Sequence, residues 1–260
     1  MPVLCASGAF ALHTYMNILL LGHGKMGHEI EHVAREKGTH AISVTLAEKG
    51  GTIDATLVKA ADVIVDFTSP EVVLQNIRAI VSAGKNMVIG TTGWYDHLPT
   101  VEDIVRKSGV GLVYGANFSI GAHIFLRLIA HATRMTSVFG TYDTYGLEVH
   151  HAGKKDSPSG TALRAAKEVL DNSSTKKVLQ TARLDREIHT DELHFASVRG
   201  GRNPGFHQVV FDSAVDSITI SHAAHNRRGF AEGSILAAEF IQDKKGLFTF
   251  DDVMQSKHIV

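Results

Sequence analysis

Residues 148–163 read EVHHAGKKDSPSGTAL, with two adjacent histidines, two adjacent lysines and an aspartate ahead of a Pro-Ser-Gly-Thr turn. Imidazoles beside ammonium groups suit proton transfer near neutral pH, because a neighbouring positive charge disfavours a second one unless a carboxylate or substrate intervenes. Glu148 and Asp156 are the local carboxylates. Ser157 or Ser159 is placed to cap the helix expected over SGTALRAAKEVL. Ser159, Gly160 and Thr161 then present hydroxyls and backbone N–H groups at its start, a receptor for a carboxylate or phosphate, with Lys154 and Lys155 adding positive charge. Taken singly, these residues are also what a solvated loop carries. Adjacent histidines with an aspartate can ligate a metal, but no second group of ligands stands at a recognisable spacing, so no metal is expected.

The elements that must position these groups follow from hydrophobic periodicity. From Asn17, NILLLGHGKMGHEIEHVAREKG passes from a continuous apolar run through glycines into helical spacing at Met26, Ile30, Val33 and Ala34. That is the start of a βαβ unit. Apolar runs at 41–46, 62–68, 86–93 and 110–118, most of them separated by segments long enough for helices, predict a parallel, doubly wound sheet with ligands at the carboxyl ends of its strands. After Phe118 the pattern changes: helix over GAHIFLRLIAHATRM, strand over TYDTYGLEVHH, helix, then three strands joined with few helices between them. This predicts a second, smaller α+β domain with a mixed or antiparallel sheet. The helical FAEGSILAAEFIQDKKG near the end returns to the first domain. The expected division is therefore 1–16 as a tail, with Met16 an alternative start, then 17–118, 119–227 and 228–260.

In GHGKMG, Gly22, Gly24 and Gly27 fit G-x-G-x-x-G between a strand and a helix, as in a Rossmann-like dinucleotide-binding domain. The glycines permit the sharp turn, the approach of a pyrophosphate and close helix–strand packing. Lys25 adds a charge. The acid expected at the end of the second strand is not clear there: Ala47 is followed by Glu48, suited to an adenosine ribose, and Lys49, suited to a 2′-phosphate. NADH and NADPH both stay open.

The 260 residues are 44% hydrophobic and 20% charged, with 26 basic and 27 acidic side chains and a net charge of −1. Such a chain is globular, and without a basic block it has no stripe for tracking nucleic acid. No apolar run approaches the roughly 18 residues of a membrane span, and the opening segment lacks the basic region of a signal peptide. Cys5 is the only cysteine, so no intrachain disulfide forms and the cytoplasm is the expected setting.

These motifs together resemble the 4-hydroxy-tetrahydrodipicolinate reductase family, also called dihydrodipicolinate reductases, whose signature E-[IV]-x-E-x-H-x-x-x-K-x-D-x-P-S-G-T-A is met by Glu148, His150, Lys154, Asp156 and Pro158 to Ala162. VDFTSPE, VIGTTG, YGANFSIG and NRRGFAEG follow in the family's order, so the resemblance runs from Asn17 onward. Tyr145 and Gly146 depart from the signature's first two positions, and Lys25 replaces the arginine common in the glycine turn. The resemblance implies an NADH- or NADPH-dependent reduction of a cyclic imine dicarboxylate in the diaminopimelate route to lysine. It implies cofactor contacts from Gly22, His23, Gly24, Lys25, Met26 and Gly27, with Glu48, then from Gly90, Thr91 and Thr92, and from Gly115, Ala116, Asn117 and Phe118. His150 would be the acid/base and Lys154 the proton donor. His151, Ser159, Gly160, Thr161 and Arg227 would bind substrate, and a homotetramer would form through the second domain's sheet. Lys155 has no role in this scheme. Two other readings stand beside it: a nucleotide-binding sensor without turnover, and a reductase of another imine or semialdehyde.

Overall fold

In the computed structural model, residues 15–45 and 52–257 are described. Cys5, most of the expected tail and the Ala47-Glu48-Lys49 segment lie outside them, as does any contact assigned to Glu48. The chain divides into two compact units, one ending at Phe118 and resumed at Phe230, the other Ser119–Gly229.

The first unit runs β1 (Asn17–Leu21), α1 (Lys25–Lys37), β2 (Ala41–Thr45), α2 (Ala55–Ala60), β3 (Val63–Asp66), α3 (Pro70–Ser82), β4 (Asn86–Ile89), α4 (Leu98–Ser108) and β5 (Gly111–Tyr114). The second runs α5 (Ile120–Phe139), β6 (Asp143–His150), α6 (Gly160–Asn172), β7 (Val178–Gln180), β8 (Glu192–Arg199), β9 (Phe206–Asp212) and β10 (Ser217–Ala223). α7 (Arg228–Ile241), β11 (Gly246–Thr249) and α8 (Phe250–Gln255) complete the first unit, the division falling at Phe230 inside α7.

The first sheet is wholly parallel, in the order β2-β1-β3-β4-β5-β11. Its strand order reverses between β1 and β3, the place where such sheets open a crevice at the carboxyl ends. Val63 to Asp66 of β3 are all buried, as a strand covered on both faces must be. On one face Val73, Ile77 and Ile80 of α3, with Val101 and Val105 of α4, pack over Leu19, Leu21, Ile64, Met87 and Ile89. Met16, assigned by the sequence pattern to the tail, is buried; its N–H donates to His40 Nδ1 at 3.2 Å and its carbonyl accepts from Ala41 N at 2.9 Å.

The second sheet is mixed, in the order β10-β9-β6-β8-β7, with β6 antiparallel to β9 and parallel to β8. α6 buries Ala162, Ala165, Ala166 and Val169, a spacing of three and four that faces one stripe to the core. Those alanines let α6 lie close to Leu193, Phe195, Val209 and Phe211, beside Phe125, Leu126 and Ile129 of α5. The departure at Gly146 has a steric cause here: a Cβ at that position would stand 2.4 Å from the Phe195 ring.

Periodicity did not reveal α2, β7, β11 or α8, which have three to six residues each. Such lengths are too short to display a period. Among the described residues, no helix is long and apolar enough to cross a membrane.

Gly233, inside α7, tests the packing of the first unit. Alanine ordinarily stabilises a helix interior over glycine by about 1 kcal/mol, but a Cβ here would lie 1.8 Å from the Phe118 carbonyl oxygen. Gly233→Ala is therefore expected to destabilise the protein by about 2 kcal/mol, in the range of core overpacking. Urea unfolding checks the sign, and an unchanged or raised midpoint contradicts the packing.

Candidate active site

The alternation along β6 turns Glu148 and His150 to the same, buried face of the second sheet. Register then brings three further polar residues to them. Ser197 and Arg199 of β8 lie opposite Glu148 and His150, and His207 of β9 lies opposite Glu148. None of the three was singled out from the sequence. Their only signal there is a polar residue recurring in otherwise apolar strands; their convergence depends on strand pairing.

Glu148 is fully buried and organises the group. Its Oε1 accepts from Ser159 N, Ser197 Oγ and Arg199 Nη2, each at 2.8 Å. His150 Nδ1 stands 2.8 Å from Oε2, yet out of line for a ring N–H bond, and His207 Nε2 is 3.7 Å away. Burial alone would raise the Glu148 pKa, but the bonds from Ser159, Arg199 and Ser197 outweigh it and hold the carboxyl at about 2. His150 is lowered, chiefly by burial; Glu148 pulls it upward while Lys154 and Arg199 push it down. His207 is lowered to about 4 by burial first, then by His150. At neutral pH the cluster thus holds one carboxylate, one guanidinium and neutral imidazoles. Glu148, His150 and His207 lie close enough to ligate a metal, but three donors already occupy Oε1 and Arg199 supplies the opposing charge.

The cluster also fixes the loop that follows. Arg199 Nη2 donates to Asp156 O at 2.6 Å, His151 N to Asn203 O at 2.8 Å, and Gly200 N to His150 O at 2.9 Å. Lys154 Nζ pairs with Asp156 Oδ1 at 2.8 Å and is half-buried, while Lys155 is exposed. Of the two candidate caps it is Ser159 that caps α6, its Oγ accepting from Ala162 N at 3.2 Å and lying 3.1 Å from His207 Nε2. No atom lies within 4 Å of where a Gly160 Cβ would be, so the helix start is open. His150, Lys154 and the Ser159-Gly160-Thr161 turn are therefore assembled on one carboxylate. Arg227 is exposed just before α7 and takes no part in the hydrogen bonds and ion pairs of that cluster.

In the first unit, Gly22 has φ +88°, and a Cβ there would stand 2.8 Å from Phe67 O; a Cβ on Gly27 would stand 2.5 Å from Gly22 O. Only glycine meets both constraints. Gly24 is the N-cap of α1 and offers no side chain to its first turn, which leaves that positive end of the helix for a phosphate. The turn thus fits a dinucleotide. Lys25 is exposed, Met26 half-buried, and His23 folds back so that Nε2 lies 2.8 Å from Glu31 Oε2. The loops after β4 and β5 carry Gly90, Thr91 and Thr92, and Gly115, Ala116 and Asn117. Phe118 is buried between Phe67 and Phe250, so its ring supports the loop from beneath.

Two family profiles match, "Dihydrodipicolinate reductase, N-terminus" over residues 16–118 and "Dihydrodipicolinate reductase, C-terminus" over residues 121–254. The chain belongs to this reductase family. A 4-hydroxy-tetrahydrodipicolinate reductase of Christiangramia forsetii is 36% identical over 239 residues, covering 92% of this chain and 98% of that one. One of Methanocaldococcus jannaschii is 36% identical over 197 residues, 74% of this chain and 71% of the relative. The solved structure of a dipicolinate-bound dihydrodipicolinate reductase from Paenisporosarcina sp. TG-14 superposes with TM-score 0.72 at 22% identity, covering 91% of this chain and 98% of that one, a likeness of fold. As a member of the family the reductase is an NAD(P)H-dependent oxidoreductase, and its first unit carries the family's cofactor domain.

The reductase's Glu148 makes a pH-dependent contribution to stability. A carboxyl held near 2 when folded, against an ordinary 4.5, stabilises the fold by on the order of 3 kcal/mol above pH 4.5, and loses that contribution as pH falls through 2. The stability gap between wild type and Glu148→Gln in urea unfolding is expected to be constant from pH 7 to 5 and to shrink below. A gap that ignores pH would show that the carboxylate is not held as described.

Proposed function

We propose that this protein reduces 4-hydroxy-tetrahydrodipicolinate, by way of dihydrodipicolinate, to tetrahydrodipicolinate with NADH or NADPH, in the diaminopimelate route to lysine. The observation that carries the assignment of roles is the joining of His150, Lys154 and the α6 start to one buried carboxylate, directly or through Asp156 and Arg199.

The Gly22-to-Gly27 turn and the loops at Gly90 to Thr92 and Gly115 to Phe118 would hold a reduced nicotinamide, whose chemistry when bound would be hydride donation. The chain's own residues do the rest. Hydride addition to a conjugated imine leaves electron density that must collect a proton. The ionised Glu148 beside Nδ1 favours the His150 tautomer protonated there, so Nε2 carries the lone pair. Gly205 keeps room for it, since a Cβ at that position would come within 3.0 Å of Nε2. Lys154, an ammonium at the same loop, is the proton source, and His150 Nε2 orients and relays that proton. Ser159, Gly160 and Thr161 hold a substrate carboxylate with N–H and hydroxyl donors at the α6 start, assisted by His151 and Arg227.

The same reading includes a homotetramer built through the second sheet. It is supported by the sheet face turned away from α5 and α6, where Tyr145 and Val198 are exposed and Leu147 and Val149 half-buried. Its setting is the cytoplasm, consistent with a chain whose single cysteine forms no internal disulfide.

Substrate generated in situ from pyruvate and aspartate semialdehyde should consume reduced-nicotinamide absorbance with one cofactor or both. Lys154→Ala and His150→Gln should each lower kcat by roughly 100-fold, the scale of acid–base contributions, with cofactor affinity unchanged. No turnover by the wild type with either cofactor overturns the assignment; loss of cofactor binding in the variants overturns the roles. In sedimentation, wild type should run as a tetramer and Val198→Glu as a smaller species. A wild type that runs as a monomer ends the assembly proposal.

A further inference from the structure

We propose that Asp66 is a positioning residue for the nicotinamide half of the cofactor: its buried carboxylate makes Thr91 Oγ1 an obligate hydrogen-bond acceptor, set to receive a ribose hydroxyl or the carboxamide N–H2. This rests on the reading that the Gly90–Thr92 loop lies against the nicotinamide.

Asp66 closes β3 and is fully buried. Its Oδ1 accepts from Thr68 N at 2.9 Å, Thr68 Oγ1 at 2.7 Å and Thr91 Oγ1 at 2.8 Å, and its Oδ2 accepts from Asn76 Nδ2 at 2.8 Å. A backbone N–H and an amide N–H2 can only donate, and four converging donors are the complement of an ionised carboxylate. Burial raises the Asp66 pKa and these bonds oppose the rise. With both threonines giving their single proton to Asp66, each hydroxyl has only lone pairs to offer elsewhere. Thr68 Oγ1 already faces Asn76 Nδ2 at 3.3 Å. Thr91 is left as the acceptor.

The backbone of the same loop is fixed by neighbouring contacts. Gly90 N donates to Asp66 O at 2.9 Å and Trp94 Nε1 donates to Thr91 O at 2.8 Å, while the Phe67 ring lies so near Gly90 that a Cβ would sit 2.0 Å from it. Asp66 thereby touches both loops, its carboxylate holding Thr68 and Thr91 Oγ1 and its main-chain carbonyl holding Gly90 N.

The test is binding, read by the fluorescence of NADH or NADPH, whichever the wild type binds, with ADP as a ligand that lacks the nicotinamide and its ribose. Asp66→Asn puts an amide where only acceptors fit, and Thr91→Val removes the acceptor. Each should weaken binding of the reduced cofactor by roughly tenfold, the scale of one or two lost hydrogen bonds, and leave ADP affinity unchanged. The double variant should lose no more than either single one, because both act through one hydroxyl. Thr91→Ser should restore wild-type affinity. Unchanged cofactor affinity in Thr91→Val, equal losses for ADP and cofactor, or additive losses in the double variant would each overturn the inference. Should Asp66→Asn fail to fold, the Thr91→Val and Thr91→Ser pair still decides. A wild type that binds no reduced nicotinamide overturns the functional reading itself.

Discussion

The second unit is organised by a single buried charge. Glu148 has no exposed surface, and leaving an ionised carboxylate unpaired there would cost several kcal/mol. Three donors at 2.8 Å on one oxygen compensate it, and they come from β8 and from the start of α6. The carboxylate therefore fixes more than a histidine. It sets the entry angle of α6 through Ser159 N, holds Arg199 so that it can grip the Asp156 carbonyl, and thereby shapes the loop bearing Lys154. Removing it would leave a half-buried guanidinium without its carboxylate and the Ser159 N–H without its acceptor.

The first unit solves a related problem with different chemistry. Asp66 ends its strand, is also fully buried and is also met by donors from several segments, but all of those donors are uncharged. The contrast shows in the direction of the pKa. Around Glu148 the bonds from Ser159, Arg199 and Ser197 outweigh burial and the carboxyl goes down; around Asp66 burial prevails and the carboxyl goes up. A depressed carboxyl is a fixed anchor over the whole neutral range. The Asp66 carboxyl has no opposing charge among its hydrogen-bond partners, so it is held by the geometry of those bonds.

The alternating order of strands and helices was legible because each long element carries its own period, as Met26, Ile30, Val33 and Ala34 do in α1. The loop of residues 150–161 was legible because its chemistry is contiguous in the chain. Ser197, Arg199 and His207 were not, since they reach Glu148 only through the pairing of β6 with β8 and β9, and register is a property of two strands. Asp66 was quoted within VDFT but carried no signal of its own, because a buried acid is recognised by its donors. Gly146 stood out as a departure from the family signature, and only the Phe195 ring explains it. β11 was hidden by its length, four residues, and its partner β5 lies more than a hundred positions earlier in the chain.

The charge balance of the Glu148 cluster bears on the proton-handling assigned to His150. Glu148 is matched by Arg199 and Asp156 by Lys154, and both imidazoles are driven toward neutrality by burial. The group is thus close to neutral before anything binds, and a further positive charge on His150 has nothing left to offset it. A carboxylate bound at the α6 start, as proposed, would supply that offset, because a nearby negative charge favours the protonated imidazole. A substrate carrying carboxylates would then do two things with one contact. It would dock on the helix N-terminus, and it would favour the protonated form of His150, the form able to pass a proton onward.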